Sequence, residues 1–207
     1  MTKGWVELVR RQGLQEALKL LGSRISTGAM IGRAGHWLFA RTGDGLVFGL
    51  GGRPEPGETL VEALRREIRE EAGLAAAVQD SPLTHLFLDA GPLAVELPER
   101  ETPRPAFIWR QQTPSSPIDL DGYVCAVYRV RVASGEPISS PRDTVEGFVW
   151  LSSRVLAEGG PLVAGQPGVR CPGLAAGKPL TLLGSAAFAG AWLRAGSRPG
   201  AASESDH

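Results

Sequence analysis

Three glutamates in the middle of the chain are the side chains best suited to chemistry. Glu67, Glu70 and Glu71 are spaced three and four residues apart, which places them along one stripe of an α-helix. We call this set the acidic stripe. Its like charges repel one another by roughly a few tenths of a kcal/mol per pair in an isolated helix. Because Mg²⁺ and Mn²⁺ prefer carboxylate oxygens as ligands, the stripe predicts a divalent metal site.

A glycine-rich loop precedes the acidic stripe and exposes its backbone to a ligand. Gly49, Gly51 and Gly52 have no side chains to hold a phosphate or a metal ion at a distance. Carboxylates beside such a loop fit phosphate-ester chemistry better than thiol or imidazole chemistry. The alternative is a solvated helix face that binds nothing.

A helix from about Leu60 to Ala72 must position the stripe. Thr59 and Glu62 form a T-x-x-E capping box at its start, and Gly73 can supply the left-handed residue that ends it. The apolar side chains of this segment recur every three or four residues, so they should be buried on a neighbouring face. They are Leu60, Val61, Leu64, Ile68 and Ala72.

The segment from Gly52 to Leu74 resembles the Nudix box, the signature of the Nudix hydrolase family. It matches the pattern G-x5-E-x7-R-E-U-x-E-E-x-G-U, where U is a bulky aliphatic residue, at seven identities and two aliphatic positions. Such a match arises by chance on the order of once in a million sequences of this length and composition. One departure is Leu50, because the family usually has a proline there that shapes the loop.

The resemblance implies a fold, a reaction and a set of residues. The fold would be an α/β/α sandwich with a mixed β-sheet and a loop–helix–loop motif. The reaction would be hydrolysis of a pyrophosphate bond in a nucleoside diphosphate linked to another moiety. The acidic stripe and a backbone carbonyl near Gly51 would bind Mg²⁺ or Mn²⁺. Glu58 would pair with Arg66, and the residues that support the motif would be Gly52, Glu58, Arg66 and Gly73.

In the implied reaction, water attacks one phosphorus while the metal neutralises charge and acidifies the water. A nearby carboxylate would act as general base. Glu67 is the first candidate and Glu146 the second, with an ordinary loop carboxylate as the alternative for Glu146. Arg41, at a predicted strand end, is a candidate for binding a substrate phosphate, against a solvated arginine. Trp109 could stack on a base, although packing in the core is favoured.

The rest of the chain predicts one domain with decorated ends. We expect an N-terminal helical extension over residues 1–25, the hydrolase domain over 26–194 and a disordered tail over 195–207. Strands are predicted over residues 27–32, 36–41, 46–48, 84–89, 106–110, 122–132 and 148–151, and helices over 5–21 and 185–194. The proline-rich and polar segments 91–105 and 111–120 are predicted to be long loops that decide specificity.

Composition limits the partners of the chain. Its 22 basic and 22 acidic residues give no net charge, so no global field attracts nucleic acid or a membrane. Cys125 and Cys171 are too few for a disulfide framework. We therefore expect a cytoplasmic enzyme with a small nucleoside diphosphate-type substrate; homodimers are common in the family. The alternative is a non-hydrolytic Nudix-type domain that senses a nucleotide. Such sensors often lose box carboxylates, all of which this chain keeps.

Overall fold

The computed structural model of the protein describes residues 2–88, 92–111, 122–132, 137 and 145–196. In chain order, the helices are α1 (Thr2–Gln12), α2 (Leu14–Leu18), α3 (Leu60–Ala72), α4 (Ser153–Glu158) and α5 (Ser185–Gly196). The strands are β1 (Arg24–Arg33), β2 (His36–Arg41), β3 (Leu46–Phe48), β4 (Ala76–Gln79), β5 (Thr84–Phe87), β6 (Pro92–Val95), β7 (Phe107–Arg110), β8 (Tyr123–Val132), β9 (Gly147–Ser152), β10 (Leu162–Val163), β11 (Val169–Arg170) and β12 (Pro179–Leu182).

The strands form one mixed sheet. Its main path runs β10-β12-β3-β2-β1-β8-β7-β5-β6, while β9 pairs with β2, β11 with β9 and β4 with β8. Among the described strands three pairs are parallel, namely β1 with β8, β5 with β7 and β3 with β12. The centre is the β1–β8 pair, whose register runs from Arg24 opposite Tyr123 to Ile31 opposite Val130.

Helices cover both faces of the sheet, as the predicted α/β/α sandwich requires. Strand side chains alternate between the faces, so Leu38 and Ala40 enter one hydrophobic cluster and Phe39 enters the other. The first cluster contains the apolar faces of α1, α2 and α3. The second contains those of α4 and α5. The acidic stripe therefore belongs to the helix layer that packs on the first face.

The N-terminal segment packs into the first cluster, and it forms two helices where one was predicted. Gly13 separates α1 from α2 with a φ of 92°, a backbone conformation outside the helical range. Trp5, Val9 and Leu18 are buried, and the indole N–H of Trp5 donates to the carbonyl of Ala17 at 3.2 Å. The extension is thus anchored on the sandwich.

The predicted bounds of β2, β3 and α3 are confirmed, whereas the predicted loop over residues 91–105 is wrong. That segment contains β6, an edge strand that begins at Pro92, where a missing backbone N–H costs least. The second predicted loop lies almost wholly outside the described residues. Helix α5 reaches Gly196, and residues 197–207 also lie outside the described range. Within the described residues, none of the helices could span a membrane.

In the first half of β1, the edge that faces β2 is covered by a loop instead of a strand. Strand β2 pairs with β1 through His36, Trp37 and Leu38, but its last two residues pair with β3. The loop that follows β3 occupies the released edge of β1. There the N–H of Thr27 donates to the carbonyl of Gly52, and the N–H of Ala29 donates to that of Leu50, both at 2.9 Å. This places the glycine loop between β1 and α3.

Candidate active site

Helix α3 has the ends that its sequence predicts. The Thr59 hydroxyl accepts from the N–H of Glu62, whose carboxylate accepts from the N–H of Thr59. Gly73 closes the helix in the left-handed region with a φ of 66°. Because the apolar face, including Leu64 and Ile68, is buried in the first cluster, the acidic stripe lies at the edge of the helix beside the loop.

The backbone of Gly51 and Gly52 contacts the acidic stripe directly. The N–H of Gly51 donates to Glu71 Oε2 at 2.9 Å. A Cβ on Gly52 would lie 2.2 Å from Glu67 Oε1, so only glycine lets that carboxylate approach the loop. Gly51 has a φ of 139°, and a Cβ there would lie 2.2 Å from the Thr27 carbonyl oxygen. Gly51 is therefore needed for the loop to lie against β1, and Gly52 for the carboxylate of Glu67 to lie against the loop.

Arg66 ties the loop to the helix. Its Nε and one terminal nitrogen donate to the two carboxylate oxygens of Glu58 at 2.9 and 3.0 Å. The other terminal nitrogen donates to Glu67 at 2.9 Å and to Glu70 at 3.3 Å. Arg66 also donates to the carbonyl of Arg53 at 3.0 Å. The guanidinium thus forms the ion pair with Glu58 that the resemblance implied, and it offsets the repulsion within the stripe.

Ionisation in this region follows from the same contacts. Hydrogen bonds from the Arg66 side chain, and then from the N–H of Glu55, lower the pKa of Glu58 below its usual value. The Glu58 carboxylate in turn raises the pKa of Arg66. The N–H and hydroxyl of Thr59 lower the pKa of Glu62. The ion pair and the capping box therefore both favour ionised carboxylates.

The donors at this site suit a hard divalent cation. They are carboxylate oxygens next to backbone made accessible by glycine, with no sulfur or imidazole among the contacts given above. Carbonyls alternate in direction along an extended chain, and those of Leu50 and Gly52 point to β1. We therefore expect the Gly51 carbonyl on the α3 side, near Glu71.

The carboxylate oxygens of the acidic stripe do not already surround a common point where a metal ion could bind. Within the described part of the chain, no group of three Asp, Glu, His or Cys side chains is arranged as a ligand set. Arg66 holds Glu67 and Glu70, while the N–H of Gly51 holds Glu71. A cation would have to compete with these hydrogen bonds for the same oxygens.

Two residues predicted from sequence lie apart from these contacts. Arg41 is 4% exposed and donates to the carbonyls of Pro172 and Thr42, so it links backbone segments instead of lying solvated at a strand end. Glu146 is exposed; its N–H donates to the Arg41 carbonyl, and its carboxylate lies against Gly43. Their contacts among the described residues do not include the loop or the stripe. Glu67 therefore has the better position for a general base.

A cavity of about 170 Å³ opens beside the glycine loop, between the first half of β1 and the end of β3. Gly51 lines it together with side chains from several strands and from the start of α5. Burial raises the pKa of Tyr123 in its wall, and the charges of Arg53 and Glu67 also act on that phenol. The cavity therefore adjoins the acidic stripe. The sequence indicated Gly49 and Gly51 of its lining but not Ser26, Phe48, Tyr123 and Ser185, for which no local pattern exists.

Trp109 lies in the core, as the sequence favoured. It is 2% exposed, its ring stacks on Phe188 with centroids 5.3 Å apart, and Tyr123 lies 5.5 Å away in a tilted arrangement. One edge of the indole nevertheless forms part of the cavity wall. Packing and a contact with a ligand are thus compatible at this residue.

The chain matches a family model and several solved structures. The family model described as "NUDIX domain" matches residues 24–165. No curated protein matches the chain. A NUDIX-family hydrolase structure from Clostridium perfringens is 16% identical, with a TM-score of 0.50 over 83% of this chain and 97% of that one. An ADP-ribose pyrophosphatase from Streptococcus suis is 18% identical, with a TM-score of 0.46 over 86% and 93%. A MutT NUDIX hydrolase from Burkholderia pseudomallei is 24% identical, with a TM-score of 0.42 over 63% and 84%.

Proposed function

Since the chain belongs to the NUDIX family and is a pyrophosphohydrolase of that family, we propose that it cleaves the diphosphate linkage of a nucleoside diphosphate derivative with Mg²⁺ or Mn²⁺. The acidic stripe would hold the metal. One observation supports this most directly: the Gly51–Gly52 backbone contacts two carboxylates of the stripe, Glu67 and Glu71. The glycine loop and the helix that carries the acidic stripe are therefore in direct contact at this site.

The bound metal would neutralise charge on the phosphates and acidify the attacking water. The protein itself supplies position and a base. Glu67 Oε1 lies against the backbone of Gly52, so it would accept the proton of the water that attacks a phosphorus bound beside the glycine loop. Arg66 fixes the carboxylate of Glu67 by a hydrogen bond at 2.9 Å. Because Glu67 and the glycine loop are held in fixed positions, less entropy is lost when the transition state forms.

The ion pair between Glu58 and Arg66 has a separate task. Their side chains are each 21% exposed, and the pair closes the loop of residues 52–58 onto the middle of α3. This fixes the distance between the glycine backbone and the acidic stripe. We propose that Glu58 and Arg66 position the site without contacting the reacting atoms.

A hydrolysis screen that detects the nucleotide products by chromatography would test the activity, because cleavage of the diphosphate linkage yields phosphomonoesters or pyrophosphate. It would use Mg²⁺ and Mn²⁺ separately with nucleoside triphosphates, nucleotide sugars, ADP-ribose, dinucleoside polyphosphates and coenzyme A. We expect Glu71→Gln to lower kcat by at least about a hundredfold while the melting curve is unchanged, because the amide is a weaker metal ligand. Glu158→Gln in α4 is the matched control, since Glu158 contacts only Arg154 among the described residues. Unchanged turnover in Glu71→Gln would exclude the acidic stripe as the metal site.

A further inference from the structure

The short helix α2 is held in one position by contacts with distant parts of the chain. Its side chains Leu14 and Leu18 are buried in the first hydrophobic cluster. At its start the N–H of Leu14 donates to Glu101 Oε2 at 3.0 Å, and the Glu101 side chain is only 15% exposed. The adjacent Arg100 donates to the carbonyl of Val9 at 2.8 Å, at the end of the preceding helix. The polar side chains of α2 therefore project from a fixed support.

One of these side chains contacts the segment that leads into α3. Gln15 is half-buried, and its Nε2 donates to the backbone carbonyl of Glu58 at 3.3 Å. Within the part of the chain that the structure describes, no other group donates to that carbonyl. The N–H of Glu62, four residues further on, donates to the Thr59 hydroxyl instead. Gln15 therefore supplies the hydrogen bond that the capped start of α3 does not give to Glu58.

The side chain of Glu58 connects this contact to the acidic stripe. Its carboxylate accepts from Arg66 at 2.9 and 3.0 Å, and Arg66 also donates to Glu67 at 2.9 Å. The Glu58 and Arg66 side chains are each 21% exposed and that of Glu67 is 19% exposed, so little solvent competes for these hydrogen bonds. A continuous series of hydrogen-bonded contacts therefore leads from α2 to the candidate base.

The helix that carries Gln15 lies outside the residues that the family model matches, because that match begins at residue 24. We propose that Gln15 is a positioning residue of the hydrolysis reaction: it holds the carbonyl of Glu58, and through the ion pair with Arg66 it fixes the carboxylate of Glu67. The N-terminal extension is then a working part of the enzyme. This inference rests on the proposed function, because it gives Gln15 a role in turnover that acts through Glu67.

Substitutions of Gln15 test this role by steady-state kinetics. Gln15→Met removes the donor and keeps the length and helix propensity of the side chain. We expect kcat to fall about fivefold, since a shift of a fraction of an ångström at a catalytic group costs less than the roughly hundredfold of a full one. KM should change by less than about twofold, because Gln15 does not line the cavity beside the glycine loop. Gln15→Lys keeps an N–H donor on a long side chain and should retain most of the parental kcat.

A matched control and a double variant locate the effect. Gln12→Met makes the same change at the exposed end of α1, where the side chain has no hydrogen bond within the described residues, and should keep parental kcat. When Gln15→Met is added to Glu58→Gln, kcat should fall by less than about twofold more, because both changes act on one ion pair. Melting curves would show that each variant is folded. Parental kcat in Gln15→Met, or a full further fivefold loss in the double variant, would overturn the proposal.

Amide hydrogen exchange in the metal-free protein tests the contact without turnover. The N–H groups of Glu55 and Glu58 are hydrogen-bonded within the loop that Gln15 contacts. We expect both to exchange about fivefold faster in Gln15→Met, a typical effect of one lost hydrogen bond, and unchanged exchange would refute the contact. If Glu71→Gln keeps full turnover, the metal assignment fails, whereas faster exchange in Gln15→Met still assigns Gln15 to the loop. If Glu71→Gln loses turnover and Gln15→Met does not, only the role of Gln15 fails.

Discussion

Gly52→Ala tests the geometry of the site alone, because it displaces Glu67 without changing any side chain assigned to metal binding or catalysis. A Cβ at this position would lie 2.2 Å from Glu67 Oε1 and 2.4 Å from Glu67 Cδ. Ordinary contacts begin at 3.4 Å, so the carboxylate must retreat by about 1.2 Å. A displacement of about 1 Å at a catalytic group can cost on the order of a hundredfold in rate. We therefore expect kcat to fall by about that factor.

The fold should tolerate this substitution. Gly52 is outside the left-handed region, and the atoms that meet the new Cβ belong to a flexible side chain. The assay is turnover against metal concentration for the best substrate of the screen, together with thermal unfolding. We expect a higher metal concentration for half-maximal rate and a melting temperature within a few degrees of the parent. The control is Gly4→Ala, because a Cβ there would meet nothing within 4 Å. Parental kcat and metal dependence in Gly52→Ala would show that Glu67 does not work where the structure places it.

Two further predictions concern stability. Thr59→Ala removes the hydroxyl of the capping box and should lower the free energy of unfolding by about 1 kcal/mol in urea titrations, without a change in KM. Because Arg66 lowers the pKa of Glu58 from its usual 4.5, the pair stabilises the folded protein above that pH and loses its effect as the pH falls. The melting temperature of Glu58→Gln should accordingly lie below that of the parent at pH 7, and the difference should shrink as the pH falls below 4.5 and through the lowered pKa of Glu58. A difference that stays constant across this range would assign the effect to packing.

The sequence determined those features that depend on neighbouring residues. The capping box at Thr59, the left-handed end at Gly73 and the acidic stripe beside a buried apolar face arise from interactions within about one or two helical turns. The β1–β2 hairpin is local as well, because Ala34 and Gly35 both adopt positive φ in a two-residue turn. The spacing of the Nudix box, through the resemblance to the family, predicted the ion pair between Glu58 and Arg66 and also the fold.

Only the tertiary structure determined what depends on partners distant in sequence. Strand β6 forms because it pairs with β5, although its own residues predict a loop. Arg41 is buried because β9 and the segment around Pro172 cover it. The cavity combines Ser26, Trp109 and Ser185, which are separated by more than 70 residues and share no pattern. Their proximity follows from the order of strands in the sheet, which many weak contacts decide together and which a short stretch of sequence does not encode.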